Sequence, residues 1–188
     1  MNWKVAVCLF GFLTLSLFGS SANAQEEPKV DVFAGYSYVR VNPSTAGTPN
    51  FSLNGGEASL SYHVKDWLSG VADFGGYTNG SLPVTGRAGT LSTYLFGPRV
   101  SYRSYRRFTP FGEALFGVAH AGGAIAGSPG THNVLGMAFG VGVNYRLTNR
   151  FALQPLKVDY LLTRFNEGTF NNQNQNNLRA STGIIIHF

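Results

Sequence analysis

Leu178-Arg-Ala-Ser-Thr-Gly-Ile-Ile-Ile-His-Phe188 is the stretch whose reading decides the fold. Its even positions are Leu178, Ala180, Thr182, Ile184, Ile186 and Phe188, and its odd positions are Arg179, Ser181, Gly183, Ile185 and His187. Side chains alternate across a strand, so one face is apolar and the other is small or polar. About eleven residues with one apolar face is the length that crosses a bilayer as a tilted β-strand.

Seven upstream segments repeat the alternation, separated by polar or Gly-rich stretches, as in an antiparallel all-β domain. They run from about Val30 to Arg40, Gly55 to Lys65, Leu68 to Thr78, Ser92 to Arg103, Thr109 to His120, Leu135 to Arg146 and Leu156 to Thr163. The sixth is the cleanest: Leu135, Met137, Phe139, Val141, Val143 and Tyr145 oppose Gly136, Ala138, Gly140, Gly142, Asn144 and Arg146. The connections are alternately long (Val41 to Asn54, Asn79 to Leu91, Ala121 to Asn133, Phe165 to Asn177) and short (Lys65 to Leu68, Arg103 to Phe108, Leu147 to Arg150). Tight periplasmic turns and longer extracellular loops produce this pattern. The expected fold is therefore all-β, an eight-stranded antiparallel up-and-down transmembrane β-barrel.

Alternation alone does not orient the sheet, because a soluble calyx points its apolar face inward and a membrane barrel points it outward. The polar parity is crowded with small residues, among them Gly97, Gly117, Gly136, Gly140, Gly142, Gly183, Ser59 and Ser61, which suit the narrow interior of eight strands. Aromatic residues such as Tyr36, Tyr62, Trp67, Tyr102, Tyr145, Tyr160 and Phe188 recur near the ends of the apolar parity, where girdles meet the membrane interfaces. Charges fall on the polar parity, and an Arg or Lys at the lipid-facing midplane would cost roughly 2 to 4 kcal/mol. Arg99, Lys157 and Arg179 are expected to interleave inside with Glu57, Asp73, Glu113 and Asp159 as a barrel-interior charge network, since buried charges persist when paired. The expectation is a plugged polar core.

Composition agrees with a membrane surface. Charged residues are only 12%, aromatics are 14% and there are 24 glycines, too few charges to keep a soluble surface dispersed. The formal net charge of +5 is modest and gives no reason to expect a nucleic-acid partner. Lys4, an apolar run from Val5 to Phe18 and Ala22-Asn23-Ala24 read as a secretory signal peptide over residues 1–24, leaving 25–188 as the barrel domain. Cys8, the single cysteine, lies inside that apolar run, so no disulfide is expected.

With these features the chain resembles the OmpA-like eight-stranded outer-membrane β-barrel family, the outer membrane protein β-barrel domain proteins, over nearly all of residues 26–188. The carriers are Val30-Asp-Val-Phe-Ala-Gly-Tyr-Ser-Tyr38, Tyr94-Leu-Phe-Gly-Pro-Arg-Val-Ser-Tyr102, Pro110-Phe-Gly-Glu-Ala-Leu-Phe-Gly117 and the aromatic Phe188, in that order and spacing. The resemblance implies a bacterial outer-membrane location in a Gram-negative-type cell and recognition of the Phe188 strand by the barrel-assembly machinery. OmpA itself continues into a periplasmic peptidoglycan-binding domain; anchoring of that kind is not expected here.

No catalytic, cofactor or metal site is expected. His63 and His187 read as interior positions near the periplasmic end, His120 and His132 flank one loop, and no H-x-x-x-H or H-E-x-x-H spacing occurs. Gly86 to Gly89, and Gly122-Gly123 with Gly127 and Gly130, lack the Lys-Ser/Thr ending of a phosphate loop and read as loops. Asn171 to Asn177 reads as a solvated extracellular loop and a candidate ligand contact, because binding residues on rigid barrels sit in loops. Arg103, Arg106 and Arg107 read as a periplasmic turn with weak attraction to lipid headgroups, and Arg87 as part of an extracellular loop. The expected role is structural or adhesion-like, in a monomer whose partners are outer-membrane lipids and an extracellular ligand. A narrow pore, a lipid-modifying enzyme using His120 and a soluble calyx are the alternatives.

Overall fold

The computed structural model describes residues 29–42, 50–79, 89–103, 105, 107–123, 131–165 and 173–188. The strands are β1 (Val30–Val41), β2 (Phe51–Lys65), β3 (Leu68–Asn79), β4 (Gly89–Ser101), β5 (Phe108–Gly123), β6 (Thr131–Arg146), β7 (Phe151–Phe165) and β8 (Gln173–His187). Each pairs antiparallel with its neighbour in sequence, and β1 pairs with β8 to close the barrel. Closure leaves no open edge, the condition for β-structure in lipid. At the seam the Phe188 amide donates to the Val30 carbonyl (2.8 Å) and the Val30 amide to the Phe188 carbonyl (3.2 Å).

Outward positions are the apolar ones. Leu60, Phe74, Phe96, Phe116, Phe139, Val141, Tyr160 and Ile184 are exposed around the barrel, whereas Glu57, Asp73, Arg99, Lys157, Asp159 and Arg179 are buried. That distribution is the reverse of a soluble calyx, with apolar side chains where a calyx needs polar ones. One bulge in β7 keeps this partition, and it shifts the register of both its ladders: Leu153 and Leu156 face Tyr145 and Val143 of β6, and Gln154 and Lys157 face Gly183 and Ser181 of β8. Ala152 and Gln154 face inward, so strict alternation would send Leu156 into the lumen and Lys157 toward lipid. The extra residue at Pro155-Leu156 turns Lys157 inside.

The strands are longer than the sequence pattern implies. β8 begins at Gln173, so most of the Asn/Gln tract read as loop is strand, and Gly89, Gly122 and Gly123, also read as loop, lie in β4 and β5. Amide side chains break the apolar alternation but not the ladder, which runs on above the apolar band: the Asn177 side chain donates to Thr163 Oγ1 (3.3 Å) and accepts from the Asn42 amide (3.3 Å). Residues 1–24, Gly86, Arg87, Arg106, Gly127, Gly130 and Asn171-Asn172 lie outside the described residues.

Candidate functional site, the barrel lumen

The interior is layered. At the end that carries the short turns and both termini, Asp31 bridges two histidines: its Oδ2 lies 2.9 Å from His63 Nε2 and its Oδ1 2.6 Å from His187 Nδ1. His63 Nδ1 meets Ser69 Oγ at 2.6 Å, and the Arg103 guanidinium lies 3.1 Å from His63 Nε2. This links β1, β2, β3 and β8. Above it, Phe33, Ala152 and Ile185 form a small apolar cluster. The Phe33 ring occupies the space over Gly35 and Gly183, which face each other across the seam; a Cβ on either would come within 2.7 Å of that ring.

The middle layer holds the charges. Lys157 Nζ bonds Glu57 and lies 3.1 Å from Asp73 Oδ2, 3.1 Å from Glu113 Oε1 and 3.6 Å from Asp159 Oδ2, with all five side chains shielded from solvent. Arg179 donates through Nε to Asp159 Oδ2 (2.6 Å) and through Nη1 to Asp73 Oδ1 (2.8 Å) and the Tyr77 hydroxyl (3.2 Å). Arg99 grips Glu113 Oε2 through Nη2 (2.6 Å) and Nε (2.7 Å) and stacks on Phe111, 4.4 Å from the ring centroid. The Ser181 hydroxyl donates to Glu57 Oε2 (2.6 Å). Gly140 provides the room: a Cβ there would collide with Asp159 Oδ1 and reach 3.4 Å from Glu113 Cγ. All seven residues singled out from sequence thus meet in one belt.

The half of the lumen nearer the long loops is mainly apolar, with Thr93, Thr163 and Asn177 among the leucines, which departs from the plugged polar interior read from sequence. Val39, Leu53, Leu91, Leu95, Leu115 and Leu161 pack there with Tyr77 and Ala138 as one buried cluster. Charges need several partners each, and seven such groups fill only the middle; the remaining width is closed more cheaply by side chains that require no hydrogen bonds. The signal was present as Val39, Leu53, Leu95 and Leu161 on the inward parity of their strands.

The family model for the outer membrane protein β-barrel domain matches residues 10–185. The chain belongs to that family. The barrel is accordingly a bacterial outer-membrane protein, with its short turns facing the periplasm. Its fold is similar to that of Neisserial surface protein A, NspA (TM-score 0.67, 18% identity, 85% of this chain and 97% of that one). It is also similar to Ail, the attachment invasion locus protein of Yersinia pestis (0.54, 15%, 85% and 99%), and OprG of Pseudomonas aeruginosa (0.55, 12%, 88% and 99%). At these identities the likeness shows the fold alone. A search among curated proteins finds no match.

Two histidine environments bear on catalysis. His120 faces outward near the extracellular rim, its Nδ1 bonded to Asn133 Oδ1 and its ring edge-on to Tyr94 at 5.3 Å. The carboxylates Glu57, Asp73 and Glu113 point into the lumen, away from it. Sequence reasoning did not anticipate that Ser69, His63 and Asp31 form a hydrogen-bonded chain. Ser69 is only 2% exposed, so its hydroxyl is closed to a substrate carbonyl, and the chain, together with His187 on the other oxygen of Asp31, acts as a latch across four strands. Among the described residues no group of three or more His, Cys, Asp or Glu side chains is placed to hold a metal ion.

Proposed function

We propose that this protein is a closed, non-enzymatic outer-membrane barrel whose task lies at its extracellular surface, as an adhesion-like interaction platform that also contributes to membrane integrity. The observation that carries this reading is the doubly filled lumen: a belt of interlocked charges beneath an apolar plug, with Lys157, Arg179, Leu95, Leu115 and Leu161 all fully buried. A filled interior offers neither a solute path nor a substrate chamber, which leaves the loops as the working surface. The fold shared with Ail supports the reading, because that protein is named for attachment and invasion.

The experiment has two arms. Pure protein in planar bilayers is expected to give no steady, ion-selective current; sustained single-channel conductance overturns the closed-barrel part. Displayed on an otherwise non-adherent bacterium, the protein is expected to raise binding to host cells or matrix, and exchanging the four extracellular loop sequences for short Gly-Ser turns is expected to abolish the gain. Adhesion that survives the loop exchange refutes the surface role. Partner recognition during assembly is tested separately: replacing Phe188 by Ser is expected to lower the amount inserted in cells while leaving refolding into detergent intact.

A further inference from the structure

The outer face of the barrel carries a shallow notch of about 480 Å³, lined by Leu60 and Tyr62 of β2, Gly70 and Ala72 of β3, and Phe96 of β4. Its origin is compositional. Tyr62 faces Gly70 and Leu60 faces Ala72 across one ladder, and Gly70 faces Pro98 and Ala72 faces Phe96 across the next, so small residues on β3 lie in a trough between large ones.

Gly70 is not demanded by the protein. A Cβ at this position would meet nothing within 4 Å, and its backbone lies outside the left-handed region that favours glycine. The lumen glycines differ: at Gly97 and Gly117 a Cβ would strike the backbone of the neighbouring strand. The trough is therefore space that the barrel itself leaves unclaimed. The notch is shallow and open on its outer side, so it would seat a chain laid along the barrel wall.

Its depth and its lower end indicate the occupant. Tyr62 pairs with Val30 at the periplasmic end, so the trough opens within the periplasmic leaflet. Directly below it, the β2–β3 turn presents Lys65, whose Nζ is 5.7 Å from the Trp67 ring centroid. The Ser101 amide donates to the Trp67 carbonyl (2.8 Å) and holds the turn against the end of β4. The exposed Asp66 is the local counter-charge, while Arg103 of the neighbouring turn is turned inward onto His63, so Lys65 is the cation this face offers. An apolar trough running down to a cation beside an interfacial Trp matches one acyl chain and the phosphate of an anionic lipid.

We propose that this face is a binding site for an anionic phospholipid of the periplasmic leaflet, with an acyl chain in the trough over Gly70 and Ala72 and the headgroup phosphate at Lys65. The site is independent of the adhesion-like role and of the extracellular loops.

The test is native mass spectrometry of the detergent-extracted protein after addition of phosphatidylglycerol or phosphatidylethanolamine at equal concentration. Wild type is expected to retain phosphatidylglycerol preferentially. Gly70→Leu fills the trough and is expected to lose retention of both lipids. Lys65→Gln leaves the trough open and is expected to cut the preference for phosphatidylglycerol about fivefold, the worth of one Lys near an anionic surface. Gel mobility before and after heating reports folding. Failure of Gly70→Leu to fold would overturn the claim that the space is unclaimed, and unchanged lipid retention in both variants would overturn the site. A wild-type dimer abolished by Gly70→Leu would identify a second copy as the occupant and overturn the lipid.

Discussion

Replacing Lys157 by Met removes the cation at the centre of the interior belt while keeping most of its volume. Its ammonium bonds Glu57 and lies 3.1, 3.1 and 3.6 Å from Asp73, Glu113 and Asp159, all in a region closed to solvent. With Lys157 gone, those four carboxylates face only Arg99 and Arg179. Each arginine already has its nearest acid, at 2.6 Å: Glu113 for Arg99 and Asp159 for Arg179. Glu57 then loses its closest partner and keeps Arg179 at 3.6 Å. Breaking a buried pair from one side costs about 3 to 5 kcal/mol, because a charge is left without compensation in a medium that solvates it poorly. With a urea slope of about 2 kcal/mol per molar, a loss of about 4 kcal/mol lowers the unfolding midpoint by about 2 M. The assay is reversible urea unfolding in lipid vesicles, read by the fluorescence of Trp67 near the membrane interface. Lys157→Met combined with Glu57→Gln is expected to recover much of the loss, since the second change removes the charge stranded by the first. A single variant with an unchanged midpoint, or a double variant less stable than the single, would refute the reasoning.

Gly183→Val is expected to prevent closure of the seam: its Cβ would sit 2.7 Å from the Phe33 ring and against the Ala34 carbonyl, and heat-shift gels should show little folded species. Val141→Arg places a cation on the lipid face of β6, where Val141 is 65% exposed, and should cost about 2 to 4 kcal/mol in vesicles. A much smaller loss there would mean that the side is not in lipid. Asp31→Asn weakens the clamp on His63 and His187; hydrogen bonds involving a charged group contribute about 1.5 to 3 kcal/mol, so hydrogen exchange at the periplasmic ends of β1 and β8 should accelerate well before global unfolding. Protection unchanged at those ends would show that the latch is not a structural element.

Much of this architecture was legible in the chain. Leu178 to Phe188 and the Leu135 to Arg146 segment carry the period-two signal undiluted, because one of their faces meets hydrocarbon and the other a narrow interior. The strand ends were less legible. The tract from Gln173 to Asn177 shows no apolar alternation, since a ladder that rises above the bilayer has water on its outer side and needs no oily face. The layering of the lumen was missed for a different reason: Leu53, Leu95 and Leu161 fall on the polar parity, and pattern reading weighs the parity as a whole rather than its depth along the strand. The latch was invisible because Asp31, Ser69, His63 and His187 come from four strands.

By itself the sequence determined the number of strands, the side that faces lipid, and the residues that must be hidden from it, because each follows from local alternation against a membrane of fixed thickness. Only the closed barrel decided which hidden groups meet. Pairing Lys157 with Glu57, 100 residues apart, depends on shear, on the bulge at Pro155-Leu156, and on the space left by Gly140. Those are properties of strands packed around a common axis, and no segment carries them alone.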